Sequence, residues 1–252
     1  MKYKIINKCQ ICNSKLFSFL NLGKQPLCDD LSIKPEDSIF YKLEIKFCKI
    51  CLTAYQKYNI DKKTLFPKKY HYRSANTNDV LLGMKDLVKN VGIIKGNLKN
   101  KIVLDVGCND GSLLDIFRKK GCKTYGIEPT NAFKDAKGKG HTIYNQYFDI
   151  KSSLYLKKNM KDVDIITFTN VFAHIEDFKD LIQSLKNLIT KNTLIVIENH
   201  YFGEVIKKNQ FDTFYHEHPR TYSLNSFNKI SELLGIKILN YNFVKRYNGN
   251  LR

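Results

Sequence analysis

The segment Lys101 to Phe117, KIVLDVGCNDGSLLDIF, constrains the fold of this chain more than any other stretch. Ile102, Val103, Leu104 and Val106 form a short apolar run with one acid, Asp105, inside it. That is the pattern of a parallel strand buried on both faces. Gly107-Cys108-Asn109-Asp110-Gly111 reads as a turn, and Ser112, Leu113, Leu114, Ile116 and Phe117 open a helix. A glycine-rich turn between a strand and a helix N-terminus lets a ligand approach bare backbone. The following strand, CKTYGIEPT, ends in Glu128. An acid about 20 residues past such a loop is positioned to accept from both hydroxyls of a ribose. The spacing predicts a doubly wound α/β domain with a nucleoside pocket.

The turn lacks the G-x-G-x-x-G of dinucleotide sites, and no G-x-x-x-x-G-K-[ST] follows. Its form, D-x-G-C-N-D-G, resembles the first loop of the class I S-adenosylmethionine (SAM)-dependent methyltransferases. The resemblance implies a Rossmann-like sheet. It also implies that Asp105, Gly107, Asn109 and Gly111 lie beside the methionine part of SAM, and that Glu128 takes the ribose.

The chain has 252 residues, of which 43% are hydrophobic, enough for one large domain with a small appendage. Its net charge of +18 invites a nucleic-acid reading. Only five basic residues are Arg, however, Trp is absent, and the lysines are scattered among asparagines. A general affinity for anions, nucleotide diphosphates included, is the more modest implication. No apolar run approaches the ~20 residues of a membrane span. The N-terminus lacks a signal-peptide core. Seven cysteines, four of them in two C-x-x-C pairs, fit a reducing cytoplasm and a metal site better than a disulfide framework.

Residues 1–75 are expected to form a zinc-binding module. Cys9-x-x-Cys12 and Cys48-x-x-Cys51 each put two thiolates on one tight turn, half of a tetrahedral zinc site. The gap between them requires a loop or hairpin, and Cys28 within it is a weaker fifth candidate. Redox-active or buried free thiols are the alternative. The module is similar to the N-terminal zinc-binding domain of the sugar C-methyltransferases, the nucleotide-deoxysugar C-methyltransferases. The likeness rests on the two cysteine pairs, L-G-x-x-P-L at Leu22–Leu27, and F-P-x-x-Y-x-Y-x-S at Phe66–Ser74. It implies a structural zinc, and that Tyr70 or Tyr72, on an extended segment, faces the active-site mouth. The alternative is that both tyrosines are packing residues.

Residues 76–252 are expected to form the SAM domain. Val80, Leu81, Met84, Leu87, Val88 and Val91 recur at helical spacing, with Thr77 and Asn78 as caps and Gly92 and Gly96 as stops. A short helix over 130–139 and strands over 141–144, 163–169 and 193–197 follow. Helices over 178–188 and 224–234, the latter capped by Gly235, and a strand over 236–244 complete the pattern. Asn170 and His174 stand at the end of the fourth strand, where such sheets line the ligand crevice. In the resembled family, N-x-x-A-H borders SAM and substrate.

Tyr215-His216-Glu217-His218 packs a phenol, two imidazoles and a carboxylate into four positions. Methyl transfer to carbon requires a proton to leave a carbon beside a carbonyl, and the resulting oxyanion must be stabilised. A His tuned near neutrality by a neighbouring Glu suits the first task. Y-x-E-H resembles the family's active-site signature. Carried over, it implies His218 as base, Glu217 orienting it or binding a sugar hydroxyl, and Tyr215 and His174 bonded to the sugar or its enolate. A metal site from His216, Glu217 and His218, or a merely polar loop, are the alternatives.

The family resemblance thus implies SAM-dependent C-methylation of a nucleotide-linked keto-deoxysugar, beside a C4 ketone. Its further C-terminal domain is expected to be absent or truncated, since the chain stops at Arg252. O- or N-methylation of another small metabolite, a zinc-ribbon nucleic-acid binder and an inactive paralogue are the rival readings.

Overall fold

A computed structural model describes residues 3–28, 34 and 38–252. The chain divides into two compact units. The first comprises Met1–Pro67, Phe172–Lys179 and Glu198–Arg252; the second comprises Lys68–Val171 and Asp180–Ile197.

The first unit begins with β1 (Lys4–Ile5), β2 (Phe17–Gln25), β3 (Tyr41–Cys48), β4 (Thr53–Gln56), β5 (Tyr58–Asn59) and the short helix α1 (Lys62–Leu65). The hairpin required between the cysteine pairs is β2–β3, antiparallel with two register shifts. Leu43, Ile45 and Ala54 turn one face of this sheet into a core with Phe202, Val205 and Phe214.

The second unit carries α2 (Asn78–Lys95), β6 (Ile102–Val106), α3 (Ser112–Lys119), β7 (Lys123–Ile127), α4 (Phe133–Gly138), β8 (Thr142–Tyr144), α5 (Ile150–Asn159) and β9 (Ile165–Thr169). Then come α6 (Phe178–Leu188) and β10 (Leu194–His200), both of which cross the division between units. The strands run in the order β10-β9-β6-β7-β8, and β9-β6-β7-β8 pair in parallel. All five residues of β6 are buried, Asp105 among them, as expected of a strand covered on both faces. The stripe Val80, Met84, Leu87, Val88 and Val91 on α2 packs with Val103, Leu113, Leu114 and Phe117. Gly126 lets β7 approach the loop: a Cβ there would lie 2.5 Å from the Cys108 Sγ.

The chain then returns to the first unit with α7 (Phe202–Lys207), β11 (Arg220–Thr221), α8 (Leu224–Leu234), β12 (Phe243–Val244) and β13 (Asn250–Leu251). β11 pairs with β4, giving a sheet of order β11-β4-β3-β2. β13 pairs antiparallel with the last residues of β10 and with β12.

Four details depart from the sequence reading. Gly92 lies inside α2; the helix stops only at Gly96, which reaches φ 70°. β10 runs on to His200, because Asn199 and His200 find a ladder partner in β13. The strand expected over 236–244 shrinks to Phe243–Val244; Ile236, Ile238 and Leu239 are exposed, and only the last two residues have a partner strand. Helix α5 went unread because its sequence, IKSSLYLKKN, is largely polar. It is started by a capping box in which the Asp149 carboxylate accepts from the Ser152 amide at 2.8 Å and the Ser152 hydroxyl accepts from the Asp149 amide at 2.9 Å. Among the described residues no helix is long and apolar enough to cross a membrane.

Replacing Asp149 with Ala is expected to lower stability by about 1 kcal/mol, the usual cost of losing an N-cap. Urea unfolding with an unchanged slope is the check.

Candidate active site and zinc centre

The four cysteines of the two knuckles converge. Their Sγ atoms all lie within 4.8 Å of one another, with Cys9–Cys51 at 3.8 Å and Cys12–Cys48 at 3.6 Å. A tetrahedral zinc with Zn–S bonds of about 2.3 Å needs sulfur–sulfur edges of about 3.8 Å, so the donor set fits the ion. The Cys12 amide donates to the Cys9 Sγ at 3.4 Å, and the Cys51 amide to the Cys48 Sγ at 3.3 Å. These backbone bonds favour thiolates. The local field is uneven. Burial pushes the Cys9 thiol up to about 11, against bonds from the Tyr55 hydroxyl and nearby amides. At Cys12 burial acts the same way but is outweighed, chiefly by the Ser14 hydroxyl, and the thiol falls to about 6. Cys28 is exposed and lies outside this cluster.

The glycine loop behaves as its sequence demands. Gly107, Asn109 and Gly111 all take positive φ, at 71°, 50° and 78°. At Gly107 any side chain would also meet Val171 at 2.5 Å. Glu128, at the end of β7, is buried and folds back on the loop. Its Oε2 accepts from the Asn109 amide at 2.9 Å, while Oε1 accepts from the amide and hydroxyl of Thr130 at 2.9 and 2.7 Å. Three donors thus occupy a carboxylate with about four accepting positions. Asp105 accepts from the Thr167 hydroxyl at 2.6 Å across the β6–β9 register. Burial pushes the Asp105 carboxyl up to about 7; the Thr167 bond pulls it down and the Glu128 charge adds to the rise.

The polar loop residues also fasten the segment that precedes α2. The Asn109 Oδ1 accepts from the Ser74 amide at 3.0 Å, its Nδ2 donates to the Tyr72 carbonyl at 3.1 Å, and Asp110 accepts from the Ala75 amide at 2.8 Å. The Tyr70 amide donates to Asn131 at 3.1 Å. Tyr70 and Tyr72 therefore sit in irregular backbone tied to the loop, with Tyr72 exposed. Asn170 follows directly on β9 with φ 55°.

The first unit gathers the imidazoles. Tyr215 Oη lies 3.0 Å from the Nε2 of His218, whose Nδ1 is 3.1 Å from the Thr213 carbonyl. A carbonyl only accepts, so Nδ1 carries the proton and Nε2 presents its lone pair. The His174 ring is centred 4.9 Å from that of His218, and its Nδ1 donates to the Glu217 carbonyl at 2.7 Å. Burial drives His218 well below its ordinary value, and the neighbouring His174 and His200 push the same way. This corrects the expectation of a His tuned by Glu217, whose carboxylate lies 4.0 Å from the Nδ1 of His174 instead. His216 points elsewhere, its ring 5.8 Å from that of Tyr41. Adjacent imidazoles diverge, and among the described residues only the four cysteines gather at ligand distance.

Sequence reasoning missed His200 and Thr213. The His200 ring is centred 5.1 Å from that of His218. Its position at the end of a core strand, next to Glu198, was the available signal.

This α/β architecture is the class I SAM-dependent methyltransferase fold. Residues 81–241 match the family described as Methyltransferase domain, and residues 9–66 match one described as a zinc binding domain. The chain belongs to the methyltransferase-domain family and carries an N-terminal zinc-binding region. It is 24% identical over 255 residues to the C-methyltransferase NovU of Streptomyces niveus, a match that takes in 98% of this chain and 60% of that protein. Two solved structures share the fold. A SAM-dependent methyltransferase from Archaeoglobus fulgidus has a TM-score of 0.51 at 20% identity, over 64% of this chain and 71% of its own. Magnesium protoporphyrin IX methyltransferase from Synechocystis PCC 6803 with bound SAH has a TM-score of 0.50 at 16% identity, over 73% and 86%.

The purified protein is expected to hold one zinc per chain. Cys48→Ser should reduce zinc content to roughly a tenth or less and broaden thermal unfolding, since metal binding in such sites is folding free energy. Elemental analysis alongside calorimetry tests both outcomes.

Proposed function

We propose that the protein is a SAM-dependent C-methyltransferase acting on a nucleotide-linked keto-deoxysugar, at a carbon beside a C4 ketone. On this reading residues 1–75 work as the zinc module and 76–252 as the methyltransferase domain. The observation that carries the reading is the pairing of a half-buried Tyr215 with a buried His218. It offers a neutral imidazole with its Nε2 lone pair against a phenol, a base and an oxygen-directed donor side by side. O- or N-methylation calls for no such enolising pair. The relationship to NovU, a C-methyltransferase, supports the same assignment.

SAM, when bound, supplies an electrophilic methyl group on a sulfonium. Asp105, the Gly107–Gly111 backbone, Asn170 and Glu128 are the residues that would hold it. Glu128 keeps about one accepting position, on Oε2, for a ribose hydroxyl. His218 takes the proton from the acceptor carbon at Nε2, and the Thr213 carbonyl on Nδ1 steadies the imidazolium that results. Tyr215 turns its hydroxyl to the acceptor's ketone oxygen, where charge develops. His174, held through Nδ1 by the Glu217 carbonyl, orients the sugar with the Glu217 side chain. Zinc is structural.

The experiment is exchange of the acceptor's α-proton for deuterium in the absence of SAM. Exchange is expected in the native protein and absent under the O- or N-methylation reading. His218→Gln should slow it by about 10²–10⁴-fold, the usual span for a general base. SAM affinity should be unchanged in that variant. Conversely, Glu128→Ala should weaken SAM binding about 10- to 100-fold by calorimetry while sparing exchange. Because burial lowers the His218 value, the competent neutral form prevails above it. The base limb of exchange should therefore stay flat between about pH 6 and about pH 8, where an ordinary His would titrate.

A further inference from the structure

The β10–β13 pair buries a charge imbalance beside the imidazoles. Asn199 opposes Leu251 and His200 opposes Asn250, so Glu198, His200, Asn250 and Arg252 share one face of the pair. The fully buried Glu198 carboxylate accepts from Arg252 Nε at 2.8 Å and from Asn250 Nδ2 at 3.3 Å. It also lies 3.3 Å from Arg246 Nη1. Both guanidinium side chains are nearly as buried, at 5% and 6% exposure. Among these side chains, two cations against one anion leave a positive charge in excess where desolvation makes it expensive.

The nearby acids do not remove it. Glu204 is paired with Lys208 at 2.8 Å, and Asp212 is exposed. Arg246 Nε and Nη1 make no hydrogen bond, nor does the buried Nδ1 of His200. The segment that presents Arg246 is strained: Tyr247, Asn248 and Gly249 follow it at φ 50°, 57° and 138°. The Arg246 guanidinium lies over the Tyr247 ring, 5.1 Å from its centre, and that ring is 5.3 Å from His200.

We propose that Arg246 and His200 form a binding site for an anionic oxygen group of the acceptor. Arg246 supplies the excess charge and unused donors, and His200 a buried Nδ1 without a hydrogen bond, on a ring centred 5.1 Å from that of His218. The site's existence rests on these contacts. The identity of its anion rests on the keto-sugar reading, which offers two sources: a phosphate of the nucleotide, or the enolate oxygen formed at the reacting carbon.

The test compares native protein with Arg246→Gln and Arg246→Lys. One arm titrates thymidine diphosphate by calorimetry. The other follows SAM-free deuterium exchange into a thymidine-diphosphate-linked 4-keto-6-deoxyhexose. Arg246→Gln leaves Glu198 and Arg252 as a one-to-one pair, so its melting temperature should hold or rise. A loss of diphosphate affinity of about tenfold or more, largely recovered by Lys, supports the phosphate source. Unchanged diphosphate affinity with exchange slowed about tenfold or more supports the enolate source. If neither quantity moves, if the native protein shows neither binding nor exchange, or if Arg246→Gln melts lower and its losses follow its unfolding, the proposal is overturned. Exchange that ignores Arg246 would leave the C-methylation reading standing. Diphosphate binding that depends on Arg246, with no exchange in the native protein, would overturn that reading and keep the site.

Discussion

The buried guanidinium of Arg220 holds the first unit together. Its Nε donates to the Tyr222 hydroxyl at 2.8 Å, Nη1 to the Gln10 side chain and the Glu176 carbonyl, and Nη2 to the Ile175 carbonyl. The plane lies over the Phe178 ring. One side chain thus ties the first cysteine knuckle, the 172–179 excursion and β11 to one another. A buried cation is tolerated here because carbonyl dipoles and a phenol replace its water; removing such partners typically costs about 3–5 kcal/mol. His174 sits one residue before Ile175 and two before Glu176, whose carbonyls this guanidinium holds. Opposite Arg220 in the β4–β11 register stands Tyr55, whose hydroxyl is 3.1 Å from the Cys9 Sγ. The zinc centre and the imidazole cluster therefore share a framework.

Burial sets the character of the imidazoles. His218 is held neutral by desolvation, with two further imidazoles pressing in the same direction, and its tautomer is fixed by the Thr213 carbonyl. His200 is pushed down to about 4, by burial first and by the Arg246 charge in addition, against the pull of Asp212. Two imidazoles whose neutral form burial favours, those of His218 and His200, beside the Arg246 guanidinium make a setting that favours negative charge. That combination suits a reaction whose difficulty lies in forming an anion away from water.

Periodic elements were legible in the sequence. The buried run of β6, the α2 stripe, and α3, α6 and α8 follow from side-chain spacing alone. The strand over 236–244 misled because Ile236, Ile238 and Leu239 alternate as a strand would, yet a strand exists only where a neighbour supplies a ladder, and β13 reaches only Phe243 and Val244. Helix α5 is held by a cap rather than by an apolar stripe. In the site, the cysteine spacing and Y-x-E-H could be read directly because their geometry is local. Thr213 acts through its carbonyl, which no side chain announces. His200, Arg220 and Arg246 acquire meaning only from partners 18 to 210 positions away, for example Gln10 on Arg220 or His218 on His200.

Formation of a carbon–carbon bond is the central step of the proposed reaction. The direct measurement uses methyl-¹³C SAM with a keto-deoxysugar nucleotide ¹³C-labelled throughout its hexose, followed by NMR of the product. A methyl carbon showing one-bond coupling to a ring carbon is the result expected of the proposed C-methylation. A labelled methyl without carbon coupling, attached to oxygen or nitrogen, would contradict it.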